Sequence, residues 1–231
     1  MRLYVSLPEG SGPFPGVVVI QHQGGLIEFV QEMTRKVASA GYVAAAPELY
    51  HRDGTDCTDD GRTRRARIRD ASVIEDVNAA VEFLQGHQSV NGEKLGIIGF
   101  CMGGRVSYLM AAANPNFKAA VTYYGGNIFM PWGEGPSPFE RTAEIGCPIM
   151  GHFGEEDKNP SPEDIRKLDA ELTKHGKVYE FHSYPNAGHA FMDKSKDSYR
   201  PHAADTSWPR TLDFFNRYLG KIAPKIAAAS L

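Results

Sequence analysis

One cysteine in this 231-residue chain stands where a thiol could act as a nucleophile on an acyl group. Cys101 lies in "IIGFCMGGRVSYLM", with Gly99 and Gly103 two residues to either side, at the point where a β-branched run gives way to a helical pattern. A nucleophile on a sharp strand-to-helix turn needs small residues two before and two after it, so that strand and helix can pack closely. The alternative is an inert buried cysteine whose glycines only permit tight packing. A helix beginning at Met102 would add a partial positive charge and free backbone N–H groups, which favour a thiolate and an oxyanion alike. A free thiol with a pKa of about 8.5 is mostly protonated near neutrality, so a base is still required.

An acid and then a histidine, each on a loop after a later strand, would complete such a site. "HFGEEDKNP" offers Glu155, Glu156 and Asp157; "YPNAGHAF" offers His189. Asp157, at the far end of its loop, is the expected partner that orients the histidine, although an Asp before Lys-Asn-Pro is also a common turn or capping residue. His189 alone among the eight histidines follows a glycine at the end of a late strand and precedes an apolar pair, Ala190 and Phe191. His152 and His182 fall in or near strands and read as packed or capping residues, while His51, His87 and His175 read as loop or helix-end positions.

The elements that must position these groups alternate along the chain. "PGVVVIQ", "YVAAAP", "KLGIIGF", "AAVTYYG", "PIMGHFG" and "KVYEFHSY" read as strands, and the first is a continuous apolar run of the kind a strand covered on both faces shows. Helical spacing recurs from Ile27, through Val73, Val77, Val81 and Leu84, after Cys101, near 162–175 and near 206–219. Residues 51–69 lack an apolar stripe and read as a surface excursion. Serial alternation predicts an α/β fold, a mostly parallel sheet with helices on both faces, in which sites form beyond the carboxyl ends of the strands. The expectation is a single domain over 1–231.

Composition narrows the partners. A net charge of -3 gives no electrostatic case for nucleic acid, and no stretch approaches the roughly 20 apolar residues that span a bilayer. The N-terminus lacks an apolar segment with a cleavage site, so a cytoplasmic protein is expected. Cys57, Cys101 and Cys147 are odd in number and without CxxC spacing, which suggests neither a disulfide framework nor a zinc knuckle.

With these positions identified, the chain resembles the dienelactone hydrolase family, cysteine-nucleophile members of the α/β-hydrolase fold. "PGVVVIQ", "AGYVAAAPELYHR", "IIGFCMGGR", "YYG", "HFGEED", "YPNAGHAF" and "TLDFF" are similar to that family's blocks, in its order. The resemblance implies Cys101 as nucleophile, His189 as general base and Asp157 as its orienting acid. It also implies an oxyanion hole from the backbone N–H groups of Met102 and Gln23. The implied reaction is hydrolysis of an ester or enol-lactone, typically 4-carboxymethylenebut-2-en-4-olide to maleylacetate, without metal or organic cofactor. The partner is then a small-molecule ester or lactone, and the chain a monomer or small homo-oligomer. Tyr123 matches a pocket tyrosine of the family, and Trp132 is either an aromatic wall of the pocket or a surface hydrophobe.

The chain also departs from that family. Its block after the first strand is "QHQGG", with His22 where a glutamate is usual, and His22 either pairs with Cys101 or lines the pocket. Asp193 and Lys194 stand where an arginine for a substrate carboxylate is usual, and the arginines at 62, 64, 65, 67 and 69 read better as a solvated helix start. A carboxylesterase or thioesterase of other specificity, and a non-catalytic redox or binding module, are the competing readings.

Overall fold

The computed structural model describes residues 1–220; residues 221–231 of the expected 1–231 domain lie outside the described residues. Among the described residues there are seven strands: β1 (Leu3–Ser6), β2 (Phe14–Ile20), β3 (Val43–Pro47), β4 (Val90–Phe100), β5 (Phe117–Tyr123), β6 (Ile149–Gly154) and β7 (Tyr179–Tyr184). They form one sheet in the order β1-β3-β2-β4-β5-β6-β7, parallel except for β1. Six helices connect them: α1 (Glu28–Ser39), α2 (Gly61–Arg67), α3 (Asp70–Gly86), α4 (Met102–Ala113), α5 (Pro162–Lys174) and α6 (Pro201–Leu219).

Period-two alternation in the central strands feeds two cores. Val18 and Ile20 of β2 belong to one core with Val77 and Leu84 of α3, Val106 of α4 and Leu168 of α5. Val17 and Val19 belong to the other with Val30 and Met33 of α1 and Phe214 and Phe215 of α6. Because both faces are covered, β2 is buried at every position, which is why its sequence is apolar without a gap.

Three elements differ from the sequence expectation. β1 is too short and too exposed to leave an apolar signature, yet it pairs antiparallel with β3 at the sheet edge. The excursion over 51–69 contains α2, which buries no residue; Asp60 caps it through the Thr63 N–H at 2.8 Å, and ion pairs from Arg64 and Arg67 to Asp53 tie it down. α6 begins at Pro201 rather than near 206, because a proline in the first turn loses no hydrogen bond there. Among the described residues no helix is long and apolar enough to cross a membrane.

The loop beyond β5 is fixed by a buried ion pair. Arg105 of α4 is fully buried and holds both oxygens of Asp70 at 2.6 and 2.9 Å, while its remaining N–H groups donate to the carbonyls of Asn127 and Met130. Asp70 also accepts the Trp132 N–H at 2.9 Å. Removing one partner leaves a buried, uncompensated charge. The substitution Asp70→Asn is therefore expected to destabilise the protein by about 3 kcal/mol, read as a lowered urea midpoint with unchanged slope.

Candidate active site

β4 ends at Phe100, α4 starts at Met102, and Cys101 between them has φ 57° and ψ -117°. A non-glycine residue in such a conformation costs about 1–3 kcal/mol and persists only where its surroundings impose it. Here they do. A Cβ on Gly99 would lie 2.0 Å from the Gly103 carbonyl oxygen, and one on Gly103 would lie 2.4 Å from the Ile20 carbonyl oxygen. These glycines are required by close backbone approach. Their spacing brings the start of α4 against the end of β2 and projects Cys101 beyond the sheet.

His189 and Asp157 arrive from the loops after β7 and β6. The His189 Nδ1 lies 2.8 Å from Asp157 Oδ2, and the other carboxylate oxygen accepts the Asn159 N–H at 2.9 Å. With the carboxylate side chain only 3% exposed and the imidazole 37% exposed, the pair is anchored at the acid and open at the base. Burial opposes a charged imidazole, but hydrogen bonds to Asp157 and Cys101 outweigh it and carry the His189 pKa up to about 10. Burial likewise pushes the Cys101 thiol up, yet its hydrogen bond with His189 and the charge of that ring leave the thiol below its ordinary value. Both directions favour a thiolate–imidazolium pair.

The backbone N–H groups of Met102 and Gln23 also favour the Cys101 thiolate and help hold its pKa down. Two amides that converge on the sulfur are placed to receive an oxyanion on the carbon attached to it. Sequence reasoning did not find Tyr50, whose hydroxyl donates to the Gln23 carbonyl at 2.8 Å and so anchors the loop just after the Gln23 N–H. Gly61 packs close by, since a Cβ there would lie 2.3 Å from the same carbonyl. Neither residue carries a sequence signal, because each acts through a contact made only in the folded chain.

A cavity of about 300 Å³ opens at Cys101, lined by His22, Gln23, Gly24, Phe29, Gly61, Phe100, Tyr124, Ala190, Asp193 and Lys196. A larger one of about 540 Å³, between β7 and α6, is lined by Glu180, His182 and Arg210 among others, and Cys101 is not part of it. Two expected pocket residues are placed elsewhere. Tyr123, the last residue of β5, is fully buried with its hydroxyl 2.7 Å from Thr211, and its neighbour Tyr124, at φ 40°, is the tyrosine that lines the cavity. Tyr123 pairs in register with buried His152, and both side chains bond the Thr211 hydroxyl on α6, which holds the Tyr123 ring in the core. Trp132 is buried 3.7 Å over the Arg105 guanidinium, away from Cys101, and serves the loop's anchor.

His22 lines the cavity; the ring that interacts with Cys101 is His189. Its Nδ1 accepts the Gly24 N–H at 2.8 Å. Glu28, at the start of α1, pairs with Arg35 and lies outside the cavity lining. His152 is buried between Tyr184 and Thr211, and His51 and His175 pair with Asp76 and Glu171.

Comparison with known proteins identifies the family. The model of the dienelactone hydrolase family matches residues 1–219. A Methylorubrum extorquens protein named "putative carboxymethylenebutenolidase" is 35% identical over 93% of this chain and 76% of its own length. One of the same name from Escherichia coli is 34% identical over 96% of this chain and 84% of its own. The crystal structure of a "putative dienelactone hydrolase" from Klebsiella pneumoniae superposes with a TM-score of 0.85 at 31% identity, covering 94% of this chain and 92% of that one. With the seven-stranded sheet, the elbow at Cys101 and these relatives in agreement, the chain belongs to the dienelactone hydrolase family of the α/β-hydrolase fold, enzymes that hydrolyse ester or lactone bonds.

Proposed function

We propose that the chain hydrolyses small activated esters or enol-lactones through an acyl-cysteine intermediate. The observation that carries this reading is the Cys101 thiol itself, held below its ordinary pKa by His189 and faced by the Met102 and Gln23 amides. The Cys101 thiolate attacks the carbonyl carbon, and the two amides receive the resulting oxyanion. Collapse breaks the bond to the leaving oxygen, which takes the proton of the His189 imidazolium. The neutral imidazole then removes a proton from water as it attacks the thioester, and the Cys101 thiolate departs. Asp157 keeps the ring oriented and stabilises its charged form through both steps.

Thiolate is itself a good leaving group, so the first tetrahedral intermediate expels thiolate in preference to an ordinary alkoxide. Enolates and phenolates leave readily, which is why activated esters and enol-lactones suit this nucleophile. A reducing cytoplasm, which would keep Cys101 a thiol, and a single catalytic domain belong to the same reading.

Replacing Cys101 by Ala is expected to lower kcat/KM for p-nitrophenyl acetate at least 10³-fold, and Asp157→Asn by about 10²- to 10⁴-fold, with far-ultraviolet circular dichroism unchanged. A Cys101→Ala enzyme with full activity contradicts the reading.

The pH dependence has a definite sign. A lowered thiol pKa keeps the thiolate populated to lower pH than in free cysteine, so the midpoint of iodoacetamide labelling at Cys101, followed by peptide mass spectrometry, is expected below about 8.5. In His189→Asn the lowering partner is gone while burial remains, so the midpoint moves above that of free cysteine. Cys147, which burial pushes up to about 12, stays unlabelled through this range and serves as an internal control.

A further inference from the structure

The cavity at Cys101 contains a charge that the proposed chemistry does not use. Asp193, in the turn after Phe191, lines the cavity yet is only 4% exposed. Its Oδ1 accepts the Ser195 N–H at 3.0 Å and the Ser195 hydroxyl at 2.7 Å. No salt bridge to it is found among the described residues: Arg, Lys and His side chains elsewhere pair with Glu and Asp, but none pairs with this one. A buried carboxylate without a counter-ion is costly, and it projects its charge into the half-open cavity beside it more strongly than an exposed one would.

The other polar group on that wall does not neutralise it. His22 accepts the Gly24 N–H at Nδ1, so its ring proton sits on Nε2, and burial lowers its pKa and keeps it uncharged. That Nε2 is buried and without a hydrogen-bond partner among the described residues. Among the described residues, the lysine or arginine that lines the cavity is Lys196, an exposed side chain whose ammonium is screened by solvent. Phe29, Phe100 and Tyr124 supply the remaining apolar wall.

We infer that Asp193 is a specificity-determining residue, which makes the cavity select esters and lactones with an uncharged acyl portion and reject those whose acyl portion carries a carboxylate. The inference rests on the thiol-hydrolase reading and names the substrate class of the same site. An anionic acyl chain would enter a space that already holds the Asp193 charge, while the His189 imidazolium there is already matched by the Cys101 thiolate and Asp157. An uncharged chain meets the aromatic wall, and the free N–H of His22 is available to any neutral oxygen it carries.

Two esters with one leaving group test this: p-nitrophenyl hexanoate and mono-p-nitrophenyl adipate, whose acyl chains match in length and differ in a terminal carboxylate. The wild type is expected to hydrolyse the hexanoate with kcat/KM at least tenfold higher than the adipate. Asp193→Asn keeps an oxygen for Ser195 and is expected to narrow that ratio about tenfold, by raising the adipate value while the hexanoate value stays within about threefold. Lys196→Gln is expected to widen the ratio, by less than Asp193→Asn narrows it. Turnover of both esters by Asp193→Asn with the wild-type ratio overturns this inference and leaves the hydrolase reading standing. A wild type that turns over neither ester overturns both.

Discussion

Two close backbone approaches, the end of β4 against the first turn of α4 and that turn against the end of β2, govern the rest of the site. A side chain at Gly99 or Gly103 would strike a carbonyl oxygen at 2.0 or 2.4 Å, so only glycine admits these distances. Once they are reached, Cys101 is driven to φ 57° and stands clear of the sheet, and the first amide of α4 meets the amide that follows β2 at a single sulfur. The strain at Cys101, of about 1–3 kcal/mol, is carried by the strand and helix that clamp it. That clamp depends in turn on two buried cores, which leave β2 and β4 no freedom to shift.

Electrostatics then act on this fixed geometry. Burial works against both a thiolate at Cys101 and an imidazolium at His189, and each charge is sustained by the other together with Asp157. Because Asp157 is buried and held by the Asn159 N–H, the ring it orients has one useful direction, toward Cys101. Tyr50 steadies the loop that carries Gln23, by a hydrogen bond from its hydroxyl to the Gln23 carbonyl. The loop from Gly125 onward is fastened by Arg105, on the same helix that begins at Cys101, so one helix serves both the elbow and its surroundings.

Much of this was legible in the sequence, for reasons that differ by element. The continuous apolar run of β2 and the helical spacing of α1, α3 and α4 reported the parallel sheet, because burial on both faces leaves a compositional trace. The pattern around Cys101 was legible because close approach admits glycine alone. Asp157 and His189 were found by their places after late strands, and they stand 2.8 Å apart. Tyr123 was misplaced by one residue, since a doubled tyrosine at a strand end does not say where the strand stops and the backbone turns. Trp132 in an irregular loop, and Tyr50 against Gln23, take their positions from long-range contacts, which leave no local pattern. His22 and Asp193 were visible as departures from a family's blocks, but their burial and their missing partners emerge only in the folded chain.

In the proposed mechanism an acyl group resides on Cys101 during turnover. Rapid mixing with p-nitrophenyl acetate, acid quench within the first turnovers and intact-protein mass spectrometry test it directly. The account predicts a species heavier by one acetyl group, located by peptide mapping to the segment containing Cys101, that decays as product accumulates. Steady turnover with no acylated species, or with the acetyl group on another residue that exchanges at the rate of turnover, would contradict it.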